Sequence, residues 1–210
     1  HSLRELVNGQ GLAGYDLQLT DQGRELAKAW GAYLIENTGR TIQHCISSPI
    51  QRCVDTAALM IEGADDVSPQ SNTHTIEIIE QGLLVEPGSF VLDIQQAAPY
   101  FKKQGALGFI NSFVNNALPG MKHPITGVLD VLELIYRTHP KTKGGLSLAV
   151  SHDTIIAAIV AVISGENKIK KEDWPEIFKQ IRVVRRSRRL ADGSEDTGFE
   201  VEGLRLFLAP

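Results

Sequence analysis

The sequence predicts an α/β fold: a three-layer sandwich with a mainly parallel central sheet, a small helical insertion and a C-terminal β-hairpin. Three observations predict it. Short apolar runs that stop at Ser or His are followed at once by helical periodicity, at Thr41–Ser47 and again at Leu146–Val150. The stretch from about 87 to 122 breaks this alternation, with Phe90, Tyr100, Phe101, Phe109 and Phe113 but no strand pattern. A length of 210 residues suits one domain, 1–210, able to bury about 70% of the surface its unfolded chain exposes.

Taken in order, the chain opens on His1-Ser-Leu-Arg4-Glu5 and a glycine-rich loop, Asn8 to Gly14. The spacing Gly9-x-Gly11-x-x-Gly14 is not a dinucleotide fingerprint, because no strand precedes it and no helix opens inside it. Thr20 is the expected N-cap of a helix carrying Leu26, Trp30, Tyr33 and Leu34, which Asn37 and Gly39 end. Thr41–Ser47 reads as a strand, and Ser48-Pro49 opens a helix with proline in its first turn and Arg52 one turn in.

Thr73–Ile79 alternates as a third strand, leading to Glu86-Pro-Gly88. The segment 87–122 reads as an inserted helical cap whose aromatic residues form its own core. Ile125–His139 is a helix ended by Pro140, Leu146–Val150 a buried strand, and Thr154–Ile163 a buried helix. Ile181–Leu190 and Phe199–Leu208, joined across Ala191-Asp-Gly-Ser, read as the hairpin, which places the charges of Arg182, Arg185, Arg186, Arg188 and Arg189 on a solvated strand.

Composition narrows the function classes. A formal net charge of −4 argues against general nucleic-acid binding, and no apolar run reaches the roughly 20 residues that span a bilayer. Cys45 and Cys53 are the only cysteines; they read as reduced, packed thiols, without metal-ligand spacing and without the pattern of a disulfide framework. No Asn-x-Ser/Thr sequon occurs. A cytoplasmic protein binding neither membrane nor nucleic acid, with no metal and no cofactor, is expected.

The strand ends carry the chemistry. His1 with Arg4, Arg52, and His152 with Asp153 all fall at such junctions, and Glu86 follows another strand-like run. A parallel sheet gathers these ends at one edge, where ligands bind. Guanidinium forks pair bidentately with phosphate oxygens and an imidazole can attack phosphorus, so the set suits a phosphoryl group. Taken alone, Ser151 or Asp153 would be read equally well as a cap of the following helix.

Together these segments resemble the histidine phosphatase superfamily, which includes phosphoglycerate mutases and histidine acid phosphatases. His1-Ser2 is similar to part of the family's Arg-His-Gly opening, with Ser2 in place of glycine. Asp16-Leu-Gln-Leu-Thr-Asp-Gln-Gly23 is similar to its Asp-x-x-Leu-Thr-x-x-Gly signature, Ser47-Ser-Pro-Ile-Gln-Arg52-Cys-Val-Asp-Thr56-Ala57 to its Ser-Ser-Pro element, and Val150-Ser-His152-Asp153 to its second-histidine motif. Arg4 and the His152-Asp153 pair resemble the acid phosphatase branch, whereas Glu86 sits where the mutase-like branch carries its acid. The family's motif also implies a strand and an arginine upstream of His1.

The resemblance implies a metal-independent phosphatase that hydrolyses a phosphomonoester through a phosphohistidine on His1. Arg4, Arg52 and His152 would hold the phosphoryl oxygens, and Asp153, or second Glu86, would protonate the leaving group. A mutase-type phosphotransfer and a non-catalytic phospholigand-binding domain are the alternatives. The substrate would be a phosphorylated small molecule or a phosphoprotein.

Overall fold

The computed structural model describes residues 3–5, 14–68, 75–86, 88–140, 142–175, 183–201 and 204–207. A parallel sheet lies at the centre, built from β1 (Thr41–Ser47), β2 (Ile78–Glu80) and β3 (Gly145–Val150) in the order β2-β1-β3. Its register aligns the carboxyl ends: Ser47 faces Glu80 on one side and Val150 on the other. The alignment continues past the strands, since the Gln81 amide donates to the Ser47 carbonyl at 2.7 Å and the Ser48 amide to Val150 at 2.9 Å.

Alternation along β1 sorts the two layers. Cys45 points to one face, where it packs with Cys53 and Ala57 of α2 (Gln51–Val67). Ile46 points to the other, into a larger core with Val128 and Leu132 of α4 (Pro124–Arg137) and Ile155 and Ile159 of α5 (Asp153–Ser164). α1 (Asp21–Thr38) lies outside against α2, capped by the Thr20 hydroxyl, which accepts from the Gly23 amide, and closed by Gly39 in the left-handed region.

The α1–α2 contact is closer than side chains normally permit. A Cβ on Gly63 would stand 1.8 Å from the Lys28 carbonyl oxygen, and one on Gly31 1.9 Å from that of Met60. The two helices therefore touch backbone to backbone, and Lys28 reaches across the surface to Glu62 at 2.7 Å and Asp66 at 2.9 Å.

Four expectations change. Pro49 lies outside α2, which begins at Gln51 with Ile50 as its N-cap, because the Ser48 amide is still engaged with β3. The strand expected at Thr73–Ile79 shortens to Ile78–Glu80, with 75–77 outside the strand and 73–74 outside the described residues. The tail forms the expected hairpin, β4 (Val183–Arg189) with β5 (Glu195–Val201), and adds a third antiparallel strand, β6 (Leu204–Phe207), in the order β4-β5-β6.

The fourth change concerns the insertion. Its main helix, α3 (Ile94–Val114), is kinked at Gly105 (φ 66°), and Phe90, Phe109 and Phe113 are buried in the same core as α4 and α5. Phe90 and Phe113 stack with ring centroids 4.5 Å apart. The segment is thus a built-in layer of the main core and does not close around a core of its own.

Replacing Gly63 with alanine places a methyl group against rigid backbone, so it is expected to cost about 1 to 3 kcal/mol, as overpacking does. Thermal denaturation of Gly63→Ala reads this as a lowered Tm; an unchanged Tm would show that α1 and α2 are not in backbone contact.

Candidate functional site

The aligned strand ends bring Ser48, Arg52 and His152 together. Ser48 follows β1 directly, Arg52 sits in the first turn of α2, and His152 is the N-cap residue of α5 just beyond β3. Arg52 and His152 are 1% and 0% exposed, an unusual degree of burial for side chains of this polarity. The Arg52 Nη1 donates to the Gly14 carbonyl at 2.8 Å, and its Nη2 lies 3.5 Å from His152 Nδ1. On its other edge the imidazole Nε2 lies 3.1 Å from Ser48 Oγ and 3.8 Å from Cys53 Sγ.

Glu86 reaches this cluster through the turn after β2. Ser151 Oγ donates to the Leu84 carbonyl at 2.8 Å, and Tyr15 Oη donates to the Glu86 carbonyl at 2.5 Å, so the backbone carrying Glu86 is fastened from two sides. Glu86 is 8% exposed, with Oε2 3.8 Å from His152 Nδ1. Arg4 enters from a bridge that pairs it antiparallel with Leu19, flanked by the Glu5 amide on the Gln18 carbonyl at 2.9 Å. Gly14 brings the two arginines together: its carbonyl binds Arg52, and a Cβ there would stand 3.0 Å from Arg4 Nη1. Its φ of +49° adds a second reason for glycine.

Of the expected site residues, the structure thus gathers Arg52, His152 and Glu86, with Arg4 beside them. His1 lies outside the described residues. Asp153 follows His152, but both of its oxygens are engaged away from the imidazole. Oδ1 accepts from the Thr154 amide at 2.9 Å, and Oδ2 accepts from the Trp174 indole Nε1 at 2.8 Å.

Burial sets the protonation states. Burial first, with the Arg52 and Arg4 charges adding, pushes His152 down to about 3 from its ordinary 6.5, so the imidazole is neutral at neutral pH. Glu86 moves the opposite way, up to about 7 from 4.5, because burial outweighs the arginines and the Asp153 carboxylate repels its charge. The 3.8 Å approach of Glu86 to His152 is therefore not an ion pair. Arg52 Nη2 can only donate, so the Nδ1 it faces at 3.5 Å is the accepting nitrogen, and the neutral imidazole carries its proton on Nε2, toward Ser48 Oγ. Burial also raises Cys53, keeping it a thiol that fills space at the Nε2 edge of the ring.

Chemically, the cluster offers two guanidiniums, a neutral imidazole and a carboxyl that holds its proton near neutrality. Among the described residues, no three His, Cys, Asp or Glu side chains are grouped to hold a metal ion. Ser48, Tyr15 and Trp174 were not expected as neighbours of the site. Ser48 and Tyr15 lie within or beside matched motifs, whereas nothing in the sequence ties Trp174 to Asp153, 21 positions away.

The family model of the histidine phosphatase superfamily (branch 1) matches residues 6–83. The chain resembles the histidine phosphatases in sequence and in fold. Among solved structures, mycobacterial hydrolase 2 is similar at 16% identity and a TM-score of 0.52, covering 100% of this chain and 89% of that one. The mycobacterial glucosyl-3-phosphoglycerate phosphatase is similar in its complex with inorganic phosphate, at 16% identity and a TM-score of 0.51, covering 96% of this chain and 92% of that one. Its complex with VO3 gives 15% identity and a TM-score of 0.51, covering 96% and 94%. No curated protein matches the chain. In the histidine phosphatase-like frame, Arg52 lies inside the matched segment, and Glu86, His152 and Asp153 lie beyond it.

The two shifted groups act oppositely on stability. Folded Glu86 binds its proton more tightly than the unfolded chain, so between about 4.5 and 7 it lowers stability as pH rises. Folded His152 binds its proton less tightly, so between about 3 and 6.5 it raises stability as pH rises. Removing the first contribution with Glu86→Gln is expected to steepen the rise of Tm with pH between about 4.5 and 6.5 relative to wild type; parallel Tm–pH curves would contradict the assignment.

Proposed function

We propose that the chain is a phosphatase that hydrolyses a phosphomonoester through a phosphohistidine on His1, with Glu86 as the proton donor. The observation that carries this reading is the buried Glu86 carboxyl, kept protonated to about pH 7, beside the neutral His152 and the buried Arg52. A carboxylic acid that holds its proton near the working pH is suited to general acid catalysis. The match to the histidine phosphatase family model supports the same chemistry.

In the proposed reaction the His1 imidazole attacks phosphorus in line, a P–N bond forms, and the ester P–O bond breaks. Glu86 gives its proton to the departing oxygen. The resulting carboxylate then takes a proton from the water that attacks the phosphohistidine, restoring both groups. Arg4, Arg52 and His152 hold the equatorial oxygens, where charge accumulates. As proposed, no metal or cofactor takes part. The protein acts on a phosphorylated small molecule or a phosphoprotein. Its two buried free cysteines suit a cytoplasmic setting, and no described helix is long and apolar enough to cross a membrane.

The test is release of p-nitrophenol and phosphate from p-nitrophenyl phosphate at pH 6. Wild type is expected to turn over with inhibition by vanadate, and Glu86→Gln to lose about 10²- to 10⁴-fold in kcat, the usual weight of a general acid. Activity of Glu86→Gln equal to wild type would remove Glu86 from the role. Stoichiometric phosphate binding without turnover would favour a phospholigand-binding domain.

A further inference from the structure

The turn that carries Glu86 is held by a residue with little packing to do. Leu84 and Val85 donate back to the Gln81 and Gly82 carbonyls at 3.0 and 3.2 Å, but Glu86 is followed by Pro87, which has no N–H to extend this bonding. The Glu86 carbonyl accepts instead from Tyr15 Oη at 2.5 Å, across 71 positions of sequence. Tyr15 is 41% exposed, whereas Leu17 and Leu19 of the same segment are buried and supply its apolar packing. What Tyr15 brings to the fold is therefore mainly its hydroxyl.

The residue before it meets the other half of the site. The Gly14 carbonyl accepts from Arg52 Nη1 at 2.8 Å, so two consecutive residues hold Arg52 through a backbone oxygen and the Glu86 turn through a side chain. Arg52 Nη2 and Glu86 Oε2 in turn approach the same nitrogen, His152 Nδ1, at 3.5 and 3.8 Å. Gly14 and Tyr15 thereby close the span between the guanidinium proposed to hold the phosphoryl oxygens and the carboxyl proposed to protonate the departing one. That span has to be accurate, since a misplacement of about 1 Å at a reacting group can cost about 10²-fold in rate.

We propose that Tyr15 is a positioning residue for the proton donor: its hydroxyl, bonded to the Glu86 carbonyl, fixes where the Glu86 carboxyl stands relative to Arg52. The inference rests on the reading of Glu86 as the donor. Tyr15 acts through Glu86 and not on the phosphoryl group, because loss of its hydroxyl leaves the Gly14 carbonyl on Arg52. Removing it therefore disturbs proton delivery and spares phosphate binding. Proton delivery matters most where the departing oxygen is most basic, so the mark of this role is a dependence on the leaving group.

The experiment compares kcat/KM on glycerol phosphate, whose departing oxygen is an alkoxide, with kcat/KM on p-nitrophenyl phosphate for wild type, Tyr15→Phe and Glu86→Gln, together with inhibition by vanadate. Tyr15→Phe keeps the ring and is expected to lose about 10-fold on glycerol phosphate, a loss several times larger than on p-nitrophenyl phosphate, with vanadate inhibition unchanged. Glu86→Gln is expected to show the same preference with deeper losses. Ser151→Ala, which releases the same turn at the Leu84 carbonyl, supplies a second variant expected to act in the same direction. Equal losses on the two substrates in Tyr15→Phe, or weakened vanadate inhibition, overturn the inference by making Tyr15 a support of the fold or of the phosphoryl end. Wild-type activity of Tyr15→Phe on both substrates overturns it while leaving Glu86 as donor. Full activity of Glu86→Gln on both fails the underlying reading instead.

Discussion

Everything at the candidate site is arranged around one buried cation. Arg52 is almost wholly out of water, and a guanidinium so placed must be met by acceptors or anions, or the fold loses several kcal/mol. The protein meets it with the Gly14 carbonyl at 2.8 Å, the edge of His152 and the field of Glu86. Burial lowers the Arg52 pKa, but not in a way that discharges a guanidinium. An oxyanion arriving there would find donors already oriented, so little reorganisation remains for the reaction itself.

The scaffold supplies that arrangement by register. Because β1 pairs with both neighbours up to Ser47, the chain segments leaving β1 and β3 start side by side, and the two helices they enter present Arg52 and His152 to each other. Backbone contact at Gly31 and Gly63 seats α1 against α2 on one face. On the other, the insertion contributes Phe90, Phe109 and Phe113 to the core beneath α5. The cap is consequently as well packed as the rest of this layer.

Much of this was legible in the sequence, and the limits have physical causes. The strand-to-helix junctions at Ser47 and Val150 were readable because apolar runs and helical periodicity are local signals, and a parallel sheet brings such ends together. The grouping of Arg52, His152 and Glu86 followed from that topology. The choice between Asp153 and Glu86 did not, since it depends on which carboxyl is buried and which is solvated by N–H donors, and burial is a property of the assembled fold. Trp174 was silent for the same reason: it meets Asp153 only in the assembled fold. The aromatic residues of 87–122 misled because composition marks a core without saying which one.

The central claim is that Glu86 carries a proton near neutral pH because the fold buries it beside His152 and Arg52. Its most direct test is a ¹³C NMR titration of the side-chain carboxyl carbon in protein labelled at glutamate, with the resonance assigned by its absence in Glu86→Gln. The account predicts a midpoint near 7. A midpoint near 4.3, the value of a solvated glutamate, would contradict it.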